Sequence, residues 1–260
     1  MLLAVAVENT RTLVGLTFEG TVKRLWWVGT DSRRTAVEWA VLLDGLLAGE
    51  SAISGVAVCS AVPSVLHELR DLVARYYPDL PSVVVEPGVK TGLPVLVDNP
   101  REVGTDRIAN ALAAVHLYGA PCVIVDFGTA TTVDVVNAAG AFIGGAIAPG
   151  IETSVDALGA AAAQLRRVEL IRPRSVVAKN TVEALQSGAI FGFASLVDGL
   201  VTRILTSQGL EASAVTVVAT GALSALIVPE SSTITKHEPF LPLLGLHHAH
   251  TRNHSAGHSA

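Results

Sequence analysis

The sequence predicts an α/β fold built from two related halves. Three observations carry that reading. Half of the 260 residues are apolar and only 16% are charged, enough to bury a sizeable core and too apolar for a disordered chain. Through the first half, apolar stretches of strand length alternate with helix-length stretches, the pattern of a largely parallel sheet with helices packed on it. Third, residues 4–13, AVAVENTRTL, can be laid over residues 124–133, IVDFGTATTV, without a gap. Each copy is an apolar strand, a short polar turn rich in threonine and a second apolar strand. Two related domains facing one cleft are therefore expected; chance likeness between two hairpins is the alternative.

In order along the chain, LLAVAV and TLVGLTF read as strands joined by the turn in AVENTRT, and LWWVGT as a third strand. RTAVEWAVLLDGLLAG places Ala36, Trp39, Ala40, Leu43, Leu46 and Leu47 at helical spacing and stops at Gly49. ISGVAVCSAV is a buried strand, SVLHELRDLVARYY a helix and SVVVEPG a strand, followed by the Pro- and Gly-punctuated loop KTGLPVLVDNP. GTDRIANALAAVHLYG is a helix. CVIVDFGTATTVDVVNAAGAFIGGAIAPG holds two or three strands with tight turns. Helices follow near 151–165 and 181–206; the second opens on Asn180 with Glu183 three residues on, a capping-box-like start. Its apolar face is read as Val182, Leu185, Ala189, Phe193, Leu196, Leu200 and Ile204. VTVVATGALSALI is a strand, a Gly turn and a short helix, and the end, LLGLHHAHTRNHSAGHSA, is expected to fray.

Charge and cysteine usage narrow the function. A net charge of −5 gives no basic stripe for nucleic acid. Cys59 and Cys122 lie in apolar, strand-like stretches and read as buried free thiols of a reducing compartment. No secretory leader and no apolar run of the roughly 18 residues of a membrane span are seen. A soluble cytoplasmic protein is expected.

DFGTATT is the strongest local feature. Asp126 ends a strand, Gly128 permits close backbone approach to a ligand, and three threonines follow. Such N–H and hydroxyl groups can form an anion-binding concavity, with Asp126 holding a cation beside it; an ordinary β-turn is the bland alternative. GTDR, residues 104–107, opens a helix. Asp106 is either a first-turn carboxylate favoured by the helix dipole or a general base for a substrate hydroxyl, with Arg107 as a carboxylate fork. GGAIAPG and ATGALS offer bare backbone for close approach, and KNT, residues 179–181, reads most simply as a helix start. The five histidines from His247 to His258 match no closed metal site and read as a solvated tail, native or appended.

Taken together, PGVKTG, DNPREVGTDRIANA, VDFGTATTVDVV, GGAIAPGI, KNTVEALQSGAIFGF, LVDGL and VVATG, in this order, resemble the type III pantothenate kinases from residue 1 to about Asn253. The resemblance implies two ribonuclease-H-like domains of the actin-like ATPase kind with a central cleft, residues 1–118 and 119–253, and a flexible tail at 254–260. It implies a homodimer that transfers the γ-phosphoryl of ATP to the primary hydroxyl of pantothenate, the first step toward coenzyme A. By position, Asp106 is the base. Gly104, Thr105, Asp106, Arg107 and, from the partner subunit, Thr181 bind the acceptor. Asn9, Thr10, Arg11, Thr12, Gly128 and Thr129 bind ATP. Mg²⁺ accompanies ATP, and Asp126 holds a monovalent cation, K⁺ or NH₄⁺.

The first phosphate loop departs from that pattern. Where the family has Asp-x-Gly-Asn-Thr, this chain has Ala6-Val7-Glu8-Asn9-Thr10. Loss of the carboxylate removes a group that helps place Mg²⁺. Glu8 brings a Cβ where glycine allows unusual φ, and a like charge beside triphosphate, for an expected loss of about two orders of magnitude or more in rate. Residues 6 and 8 share a strand face, so the longer Glu8 can instead take over the metal role. Val37 and Ala222 are smaller departures. The competing readings are a catalytically impaired regulatory or partner paralogue and a kinase for a related hydroxyl-bearing acid.

Overall fold

A computed structural model describes residues 1–86, 88–161 and 168–254. The chain forms two units, Met1–Leu117 joined by the segment from Phe240 on, and Tyr118–Pro239.

The first unit is a five-stranded sheet in the order β3-β2-β1-β4-β5. Strands β1 (Leu2–Val7), β2 (Arg11–Phe18) and β3 (Thr21–Gly29) form an antiparallel meander, and β4 (Gly55–Ser60) and β5 (Ser82–Val85) add in parallel beside β1. β1 is wholly apolar because both its faces are covered. Leu3, Val5 and Val7 face helices α1 (Ala36–Leu47) and α2 (Pro63–Tyr76), meeting Trp39, Leu43, Leu69 and Leu72. Leu2, Ala4 and Ala6 face the other core, which holds Ala109 of α3 (Thr105–Tyr118) and Leu243, Leu246 and Ala249 of α7 (Leu241–His254). α1 begins with a capping box between Thr35 and Glu38. β3 starts earlier than its apolar core suggests. Glu19 and Gly20, at φ 50° and 70°, make the two-residue left-handed turn that matches strand twist, so pairing begins at Thr21.

The second unit repeats the plan. Its sheet runs β10-β9-β6-β7-β8, where β6 (Cys122–Phe127), β7 (Ala130–Val136) and β8 (Phe142–Pro149) form the meander. β9 (Thr216–Thr220) and β10 (Lys236–His237) add in parallel beside β6. Matched strand for strand, this is the topology of the first sheet, so the sequence echo marks a duplicated fold. Helices α4 (Ile151–Ala161), α5 (Thr181–Gln208) and α6 (Ser224–Ile227) complete the unit. The predicted helix near 151–165 is described as far as Ala161; the rest of it lies outside the described residues.

Three expectations change. The face that α5 buries completely carries Ala189, Ile190, Ala194, Val197, Val201 and Leu205, rotated from the predicted stripe, while Val182 is exposed. The helix is apolar nearly all round, so periodicity alone does not choose its inner face. By length and composition α5 could cross a membrane, but its buried face is part of the second unit's core.

The predicted frayed end is instead α7, packed in the first unit. Its histidines are built in. Gly20 N–H donates to His247 Nε2 at 3.1 Å, so the proton of the neutral ring sits on Nδ1, 2.8 Å from Thr17 Oγ1. His248 stacks on His116 with ring centroids 3.6 Å apart. Burial, then the neighbouring His116 and His247, lower the His248 pKa to about 4. The tail reading for His258 falls outside the described residues.

Candidate functional site

In the first unit the polar turn after β1 is closed by Glu8 N–H donating to Arg11 O at 2.9 Å. Thr30 braces it. Its N–H donates to Thr10 O at 3.1 Å and its hydroxyl to Glu8 O at 2.8 Å. Thr12 is fully buried and its hydroxyl meets that of Thr30 at 2.9 Å, so Thr12 supports the turn from beneath. Asn9 and Thr10 are exposed at its tip. The expected backbone strain at Glu8 is not found: Glu19 is the non-glycine residue with positive φ among the described residues. Ala6 is buried in the α3/α7 core, and Glu8 continues that face.

GTDR lies beside this turn. Val7 pairs with Ser60 at the end of β4, and Thr105 donates from its buried hydroxyl to Ser60 O at 2.9 Å, pinning the start of α3 there. A Cβ placed on Gly104 would lie 2.4 Å from Asp106 Oδ1. Glycine at 104 therefore leaves the space into which the Asp106 carboxylate folds. Burial pushes the Asp106 carboxyl above its usual range, against hydrogen bonds from the backbone N–H of Arg107 and its own and the charge of Arg107. Both readings of Asp106 are thus compatible: a first-turn carboxylate, and a base raised toward useful basicity. The thiol of Cys59 between them is pushed up by burial, then by Asp106 and Glu8, so it stays protonated and inert.

Next to Thr105 opens a cavity of about 590 Å³. Its walls are the chain leaving β5 (Val85, Glu86, Val89, Thr91, Leu93), Asn99 to Arg101 with Val103, and Thr105 and Ile108 of α3. Arg101 is the cationic side chain in its lining. This mostly apolar cavity with a few polar groups suits a small molecule.

In the second unit the DFGT turn joins β6 to β7, closed by Gly128 N–H to Ala130 O at 3.0 Å. Two glycines approach it. Gly150 donates to Thr129 O at 3.0 Å, and a Cβ there would meet Gly128 O at 2.3 Å. Thr153 donates to the same Thr129 carbonyl at 2.8 Å. Gly221 has φ 91°, and a Cβ on it would lie 2.4 Å from Asp126 Oδ1. Asp126 pairs in register with Thr132 of β7 and Thr220 of β9, so the three side chains share one sheet face. The Thr220 hydroxyl is buried without a hydrogen-bond partner. An orphan hydroxyl beside a buried carboxylate fits a bound cation. Among the described residues no three of His, Cys, Asp and Glu converge as a metal cluster. A cation here would keep mainly oxygen ligands from water and substrate, which suits Mg²⁺ or K⁺.

Thr181 is the first residue of α5, exposed behind its cap. Asn180 accepts from Glu183 N–H at 2.9 Å, and Arg174 grips the Glu183 carboxylate through two nitrogens at 2.6 and 2.9 Å. The structure thus gathers Asn9 to Thr12 with Gly104 to Arg107 in the first unit, and Asp126, Gly128 and Thr129 in the second. Sequence reasoning missed Thr30, Arg101, the wall at Val85–Leu93 and Thr220. The turn-rich PGVKTG segment was the available signal for the wall; a single threonine at a strand end gives none.

The sequence profile of the type III pantothenate kinases matches residues 2–203. A type III pantothenate kinase of Streptomyces avermitilis is 56% identical over 97% of this chain and 98% of its own. One from Nocardioides sp. is 56% identical over 97% and 99%, and one from Thermobifida fusca 54% over 97% and 100%. Among solved structures, an inorganic polyphosphate/ATP-glucomannokinase from Arthrobacter superposes with a TM-score of 0.53 at 12% identity, covering 97% of this chain and 99% of its own. A glucokinase of the ROK family from Streptomyces griseus, in complex with glucose and AMPPNP, does so at 0.52 and 12%, covering 94% and 97%. At that identity they speak for the two-domain kinase fold alone.

Proposed function

The chain belongs to the type III pantothenate kinase family, and from that premise we infer that it transfers the γ-phosphoryl of ATP to the primary hydroxyl of pantothenate. The observation that carries the inference at the site is Asp106, folded over Gly104 with its carboxyl raised by burial. A carboxylate so placed can orient the acceptor hydroxyl and take its proton as the phosphoryl group moves. The cavity beside Thr105 is the proposed acceptor pocket, with its apolar wall against the pantothenate chain and Arg101 for the carboxylate.

Each unit is proposed to offer one phosphate-contact turn: Asn9 and Thr10 in the first, and Gly128 and Thr129 in the second, where the bare backbone of Gly128 permits close approach. Asp126 with the Thr220 hydroxyl is the proposed seat for a cation. Magnesium, when bound, offsets charge on the β- and γ-phosphates, and a monovalent ion is proposed for Asp126. Thr181 is exposed at the start of α5 and is proposed to meet the acceptor of a partner subunit in a homodimer. The test is product analysis by mass spectrometry with ATP, Mg²⁺, K⁺ and a panel of acceptors. Phosphorylated pantothenate in excess of every other product is expected. A product only from sugars or from shorter hydroxy acids would overturn the assignment.

A further inference from the structure

The chain from Val89 to Leu93 is one strand of backbone thick between two cavities. Val89, Thr91 and Leu93 line the acceptor pocket on one side. The same residues line a second, more open cavity of about 720 Å³ on the other. Val89 packs on the α3/α7 core and Thr91 and Leu93 are buried, while a small set of polar groups fixes the rest of the wall's position. Within the wall, Thr91 N–H donates to Val89 O at 2.9 Å and Leu93 N–H to Thr91 Oγ1 at 3.3 Å. From outside, the grip comes from the last turn of α7. Asn253 Nδ2 donates to Lys90 O at 3.2 Å. The Arg252 guanidinium fills the space where a Cβ of Gly92 would stand, 2.5 Å from it.

The same helix fixes both ends of the pocket. His254 and His250 donate from Nε2 to Ser82 O and Pro81 O at 3.1 and 3.0 Å, at the start of the strand that feeds the wall. Gly245 lies directly on the backbone of Ala109, three residues after the base on α3; a Cβ there would meet Ala109 O at 1.9 Å. We propose that the last turn of α7 is the positioning element of the acceptor pocket, with Asn253 and Arg252 setting the wall against which the acceptor packs. This rests on the reading of the cavity as the acceptor pocket. It makes α7 a determinant of acceptor affinity although none of its side chains lines that pocket.

Asn253→Asp keeps size and shape and removes the donor to Lys90 O; Asn253→Asp with Arg252→Ala removes both grips. The single variant is expected to raise the acceptor KM about three- to tenfold and the double variant further. kcat and the KM for ATP should stay within twofold. Amide exchange at residues 88–93 should speed up about tenfold in the double variant while that of β1 and β4 is unchanged. An unchanged acceptor KM, or an equal rise in both KM values, overturns the proposal, as does unchanged exchange in the wall. If the parent protein phosphorylates no pantothenate, the function reading fails first, and the exchange measurement still decides whether α7 holds the wall.

Discussion

Gly104→Ala isolates the geometry of the base. The added Cβ would stand 2.4 Å from Asp106 Oδ1, closer than carbon and oxygen pack, and the next atoms are 3.6 and 3.8 Å away. The carboxylate is the movable partner, so it swings away by ~1 Å rather than the backbone shifting. Misplacing a reacting group by that distance costs about 10²-fold in rate, or about 2.7 kcal/mol of barrier. Stability should hardly respond. Gly104 has no left-handed φ to lose. The chain-entropy gain of about 0.4–1 kcal/mol on replacing glycine is offset by the poorer helix start alanine makes, which is of similar size. Steady-state ADP release with saturating ATP and pantothenate should show kcat down about 100-fold, with a Tm within about 2 °C of the parent. A folded variant with kcat within threefold of the parent would refute the claim that Gly104 exists to seat the Asp106 carboxylate.

Glu8→Gln removes a charge at a position without backbone strain. If that charge opposes triphosphate, kcat/KM for ATP should rise about tenfold; a fall at every Mg²⁺ concentration would assign Glu8 to the metal instead. His248, with its pKa lowered from an ordinary value of 6.5 to about 4, must charge on acidification at a cost to the fold. The stability it confers is complete above about pH 6.5 and is lost as pH falls toward 4, so urea midpoints should drop through that window and His248→Asn should flatten the drop. At Asp198, burial alone would raise the carboxyl. Hydrogen bonds from Ser231, Ser232 and Thr233 outweigh it and hold the pKa at about 2. Discounted for solvent screening, Asp198→Ala should cost about 1–2 kcal/mol near neutral pH, measured by denaturation. That contribution is present above the unfolded carboxylate pKa of about 4 and fades as pH falls toward 2.

Local pattern carried much of the fold because burial and local chemistry agreed. β1 and β6 read as strands since both faces of each are covered, and the shared turn chemistry exposed the duplication. Asn180 and Glu183 announced the start of α5 because a cap is a local event. The inner face of α5 was not legible, since apolar residues surround it. α7 was misread for a related reason. Its imidazoles look solvated in sequence, yet His247, His250 and His254 bond to backbone groups from segments far along the chain. Of the candidate site, Asp106 and Asp126 could be proposed from sequence because motif order marks them. Thr220 and the wall at Val89–Leu93 were not, because their roles arise from sheet register and from cavities that only the folded chain creates.

The central claim is that Asp106 is the base of a pantothenate kinase. It is tested most directly by pantothenate-dependent ADP formation in the parent protein and in Asp106→Asn, with ATP binding followed by calorimetry in both. The account predicts one ADP per phosphopantothenate in the parent, a loss of at least about 10²-fold in the variant, and unchanged ATP affinity. An Asp106→Asn protein that turns over within threefold of the parent would contradict it.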